Sequence, residues 1–127
     1  MIEALFNQVN YVAAKKMLDA TTLRHEAIAS NLANIETPGY RRVDMPQSFA
    51  AELQQAVASK DPQQITSIEP RLEVDTSALA ANRDGNTVQL ETELTNLQQN
   101  TLEHSLETQL ITSSLLKLRF AITGRPV

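Results

Sequence analysis

The chain contains no cysteine and no tryptophan, only three glycines, and aromatic residues make up 4% of its 127 positions. Without cysteine there is no disulfide, no thiol nucleophile and no thiolate-ligated metal. With so few glycines there is no glycine-rich phosphate loop and no GxSxG elbow. The scarcity of rings leaves no stacking platform for bases. Lys and Arg number 11 against 15 Asp and Glu, a net charge of −4, so the chain lacks the basic surface on which nucleic-acid binding depends. No apolar run approaches the ~18 residues of a membrane span. The start, MIEALFNQVNYVAAKK, lacks the basic-then-apolar order of a cleaved signal peptide.

Helix breakers are confined to the middle. Neither Gly nor Pro occurs at 2–36 or at 87–123, whereas Pro38, Gly39, Pro46, Pro62, Pro70 and Gly85 fall between those stretches. This distribution predicts a mainly α chain, with two long terminal helices in an antiparallel hairpin or coiled coil and an irregular connector. The expected divisions are 1–36 for the first helix, 37–86 for turn and connector, and 87–127 for the last helix, within one structural domain. Residues 47–58 could form a short helix, and 65–75, with Ile68, Leu72 and Val74, a strand.

Ile2, Leu5, Phe6, Val9, Val12, Ala13, Met17, Ala20, Leu23 and Ala27 recur at helical steps and define one face of the first helix. In the last helix Leu90, Leu94, Leu97, Ile111, Leu115, Leu118 and Ile122 share a face, while Leu102, Leu106 and Leu110 make a second, rotated stripe. Two apolar faces suit two neighbours, as in an assembly or the interior of a bundle. Leu5, Val9, Val12, Leu94, Leu97, Ile111, Leu115 and Leu118 are the expected packing residues. Acidic residues (Glu91, Glu93, Glu103, Glu107) lie early in this helix and Lys117, Arg119 and Arg125 late, matching the helix dipole. Asn86 with Gln89 is a candidate capping box. Two long helices with a thin core predict an elongated monomer that gains order on association.

Chemistry is poorly supplied. His25 and His104 have no ligand spacing, and Glu103 and Glu107 read as a solvated helix face rather than an acid–base pair. No catalytic residue, metal, cofactor or small-molecule substrate is expected. The informative stretch is 29–40, ASNLANIETPGY. Thr37-Pro38-Gly39-Tyr40 suits a type II turn, with Pro fixing the first central residue and Gly accepting positive φ at the second. Asn31 and Asn34 can serve helix-end carbonyls or bond a neighbouring chain, and Tyr40 can dock back on a helix.

This stretch resembles the ASNLANxxTPGY signature of bacterial flagellar rod, hook and hook-associated axial proteins. Residues 84–93, DGNTVQLETE, with Asn100 and Leu102, are similar to the segment that opens the last helix in the proximal basal-body rod members of that family. The RxYxxN pattern of the sister rod proteins' final helix is absent. Gln89 stands where the family often has Asp, which weakens the acid cap, and His104 stands where Tyr is common, which makes that contact wetter. The resemblance covers both ends of the chain and leaves the middle uncovered. It implies a self-assembling structural subunit of the proximal rod that transmits torque for motility. Its implied partners are copies of itself, other rod subunits, membrane-ring or adaptor proteins at the rod base and the flagellar type III export apparatus. It also implies export without a cleaved signal to the cell envelope, and inter-subunit contacts at Asn31, Asn34, Thr37, Pro38, Gly39 and Tyr40. The alternatives are another axial subunit, or a cytoplasmic helical-hairpin chaperone or regulator of export.

Overall fold

In a computed structural model, described for residues 8–80 and 82–125, the order is α1 (Val9–Ala33), β1 (Val43–Asp44), α2 (Ser48–Ala58), α3 (Pro62–Ser67), β2 (Glu73–Val74) and α4 (Leu90–Thr123). The two long helices and the connector are therefore as the breaker pattern predicts. α4, at 34 residues, is about 51 Å long. α1 and α4 run antiparallel, because Asn31 reaches Glu93 while Thr21 reaches Glu107.

Local chemistry sets the ends. After α1, Pro38 and Gly39 (φ 72) form the turn, closed by the Tyr40 amide donating to the Thr37 carbonyl at 3.2 Å. α3 is capped by Asp61, whose carboxylate accepts from the Gln63 amide at 2.9 Å, with Pro62 in the first turn. α4 stops at Gly124 (φ 65), whose amide donates to the Phe120 carbonyl at 2.8 Å. Glu91 and Glu93 fall in its first turn, but Lys117 and Arg119 stop short of its last, so the dipole match holds fully only at the start.

The connector is more structured than its sequence pattern implies. The expected strand over 65–75 is reduced to Glu73–Val74, paired antiparallel with Val43–Asp44. Ile65 is instead fully buried in α3, which the sequence reading missed because six residues carry too little periodicity. α2 and α3 fold back on α1, and α2 falls on the short helix expected over 47–58. Ala13, Ala20, Phe49, Leu53, Ala56 and Ile65 form a small core, with Val9, Val12, Met45, Val57 and Ile68 packed around it. Small residues on α1 let the connector helices approach closely, and Phe49, Leu53 and Ile65 fill the space.

Candidate functional site

The closed end of the hairpin is held by polar groups. Arg42 sits just before β1, with its side chain buried. Its Nε donates to Glu93 Oε1 at 2.8 Å and its Nη2 to Asp44 Oδ2 at 2.9 Å, and a further ion pair joins Nη1 to Asp75. Arg24 of α1 also reaches Asp44, at 3.2 Å. One guanidinium thus ties α4, β1 and the segment after β2 together. Burial alone pulls the Arg42 pKa down, but the bonds to Glu93 and Asp44 outweigh it and hold the group above its ordinary value. The Asp75 carboxyl lies below its ordinary range, chiefly because the Ser77 hydroxyl donates to it, with Arg42 adding to the effect.

Two asparagines complete this corner. Asn31, fully buried, donates to the Val43 carbonyl at 2.8 Å and accepts the Val43 amide at 2.9 Å, so it pairs with β1 as another peptide would. Its Nδ2 also lies 3.3 Å from Glu93. Asn86, equally buried, donates into the carbonyls of Asn34, Ile35 and Thr37 at 2.8–3.0 Å and accepts the Val88 amide at 2.8 Å. It closes the frayed end of α1 rather than capping α4. The N-cap of α4 is Gln89, which makes no side-chain capping bond, in line with the lost acid.

The α1–α4 seam continues in the same style. Its buried residues on α4 are Glu93, Asn100 and Glu107, spaced a heptad apart. Asn100 donates to the Thr21 carbonyl at 2.9 Å, and the Thr21 hydroxyl donates to Glu107 at 2.7 Å. Glu107 is therefore not on a solvated face, as its spacing from Glu103 suggested. Burial pushes its carboxyl above the ordinary glutamate value, partly offset by Thr21.

The sequence-predicted residues separate into groups. Asn34 donates to the Ser30 carbonyl and accepts the Thr37 hydroxyl, and the Tyr40 hydroxyl docks on Ser30 and Asn31, so these residues set the turn from within the chain. Thr37, Pro38 and Gly39 are exposed. Val9 and Val12 flank the small core. Leu97, Ile111 and Leu118 are half-buried, Leu94 and Leu115 are exposed, and Leu5 lies outside the described residues. The second stripe is fully turned out: Leu102, Leu106 and Leu110 are 63, 54 and 57% exposed, and Phe120 is 50% exposed.

A cleft of about 560 Å³ lies between α1, the connector and α4. Met17, Ala20, Phe49 and Leu53 line one side, with Arg24, Arg42, Asp44, Glu103 and Glu107 among its polar residues. Thr21, whose hydroxyl donates to Glu107, also lines it, and no Ser, His, Cys, Lys or Tyr does. Among the described residues no three His, Asp or Glu side chains are placed to hold a metal, and no helix is long and apolar enough to cross a membrane.

Sequence reasoning missed Arg42 and Thr21, and it named Asn86, Glu93, Asn100 and Glu107 without the buried bonds they make. The one signal was the heptad spacing of Glu93, Asn100 and Glu107, and polar residues at heptad spacing ordinarily mark a solvated face.

Among the described residues the chain is an antiparallel helical hairpin with a polar corner and an apolar outer stripe. The model of the family described as flagella basal body rod protein matches residues 18–41, the second half of α1 and the turn. The flagellar basal body rod protein FlgB of Aquifex aeolicus (strain VF5) is 32% identical over 126 residues, covering 95% of this chain and 97% of that protein. FlgB of Borrelia hermsii is 29% identical over 115 residues, covering 76% of this chain and 83% of that protein. The chain belongs to the flagellar basal-body rod protein family.

Proposed function

We propose that this protein is a non-enzymatic structural subunit of the proximal flagellar rod, built into the basal body by helix packing and transmitting torque. The observation that carries the reading is the similarity to FlgB over nearly the whole length of both chains. The partners are further copies, other rod subunits, ring or adaptor proteins at the rod base and the export apparatus that delivers the chain, without a cleaved signal, to the envelope. Torque passes through many helix contacts, so no single side chain performs a reaction. In the assembled state the exposed Thr37, Pro38 and Gly39, beside Asn34 and Tyr40, face a neighbouring subunit, with Asn31 behind them. Val9, Val12, Leu94, Leu97, Ile111, Leu115 and Leu118, with Leu5 on the segment before α1, complete helix packing between subunits.

Labelling the chromosomal copy and imaging purified basal bodies tests this. Signal confined to the rod base is expected, and a chain that stays wholly cytoplasmic while export is active would favour the export-chaperone reading. Gly39→Val, which forces a β-branched residue to φ 72, should block rod incorporation more than export, read as secreted subunit with lost motility. Normal motility in that variant would remove the turn from the mechanism.

A further inference from the structure

α4 is electrically divided. From Leu90 to Glu107 it carries four carboxylates and no Lys or Arg; beyond Glu107 the chain carries Lys117, Arg119 and Arg125 and no acid. Glu93 and Glu107 are turned inward, but Glu91 and all three cations are exposed, and Glu103 is half-exposed. The outer apolar stripe runs through both halves and has no partner within the described chain.

The two halves also share a pattern. Leu116, Lys117 and Phe120 follow Leu102, Glu103 and Leu106 by fourteen residues each, two heptads, and therefore lie on nearly the same side of the helix. Apolar positions repeat while the charge between them reverses. Leu102, Leu106, Leu116 and Phe120 are all exposed.

We propose that the basic half of α4 from one copy lies parallel against the acidic half of α4 from a second copy, displaced along the axis by about 21 Å. Lys117 then stands opposite Glu103, Leu116 and Phe120 meet Leu102 and Leu106, and Arg119 and Glu91 strengthen the field of each half. An antiparallel pair would also match the charges, but it uses one surface twice and closes as a dimer. A displaced parallel contact joins two different surfaces and leaves each free at one end, as an extending axial structure requires. This register rests on the rod-subunit reading, and it specifies which surfaces meet.

Sedimentation velocity of the full-length chain over a concentration series tests it. The wild type should form a growing series of species larger than a dimer. K117E/R119E and E91K/E103K should each weaken association roughly tenfold with unchanged far-ultraviolet circular dichroism. An equimolar mixture of the two should grow as an alternating series, because the all-acidic α4 of one matches the all-basic α4 of the other at both contacts, and the chain carrying all four reversals should grow again; a mixture that stops at a 1:1 pair overturns the proposal. K117Q/R119Q provides the milder variant should charge reversal disturb the helix, and a partial loss is expected. A wild type that stops at a dimer supports antiparallel pairing and overturns the proposal, as does association indifferent to the reversals or an absence of association. Rod-base labelling of K117E/R119E separates the two readings: normal incorporation refutes this register and leaves the rod assignment standing.

Discussion

The closed end of the α1–α4 hairpin and the outer side of α4 are built on opposite principles. At the closed end, Arg42, Asn31, Asn86 and Glu93 are buried and bonded to one another or to backbone across 12–62 residues of sequence. Along the outer side of α4 the large apolar side chains Leu102, Leu106, Leu110 and Phe120 are turned to solvent. An isolated protein reverses this, because burying apolar surface stabilises it by about 25 cal/mol per Å² while burying polar groups costs unless each is bonded. The polar end fixes geometry inside one chain, and apolar surface is kept for contacts between chains. Buried polar groups at the seam also make register specific, since a shifted α4 would leave Glu93, Asn100 and Glu107 without partners.

The sharpest way to break the closed end is Arg42→Met. It leaves the fully buried Glu93 without its cation and should destabilise the chain by about 3–5 kcal/mol, read as a lower urea midpoint. Adding Glu93→Gln should recover much of that loss. Asn86→Ala follows, at about 2 kcal/mol, because three carbonyls at the end of α1 lose their donor. An effect confined to α4 would show that Asn86 caps that helix after all.

Glu107 gives a smaller, pH-dependent test. Its folded-state pKa lies above the ordinary value of 4.5, mainly through burial. The folded chain keeps a proton there that the unfolded chain has released, so this contribution is full below the unfolded pKa and is lost as pH rises through the folded one. Glu107→Gln should therefore raise the urea midpoint at pH 7 and flatten the decline in stability above the ordinary glutamate pKa. No change in that slope would mean the carboxylate is solvated in the folded chain. Least of all, Leu106→Gln should leave monomer stability within about 0.5 kcal/mol of wild type, since Leu and Gln have similar helix propensity and the site is exposed. The same change should reduce association, and a large loss of monomer stability would place the outer stripe in the chain's own core.

The long helices were legible because Gly and Pro fall only between them, and the turn because Pro38-Gly39 has one easily adopted geometry. The connector was less so. A six-residue helix and two-residue strands lie below the length at which periodicity separates from chance, and Ile65 is buried by α1 and α2 rather than by its own local pattern. The apolar stripes of α4 are plain as periodicity, but their spacing cannot say which one is covered.

The sequence by itself determined two long helices, the position and shape of the corner and, by resemblance, the family. Tertiary structure decided which face of α4 turns inward. Helical periodicity records where apolar side chains recur, and it treats burial within a chain and burial between chains alike. The inward face is set instead by whether Glu93, Asn100 and Glu107 find partners, and those partners, Arg42, Asn31 and Thr21, lie 51–86 residues away along the chain.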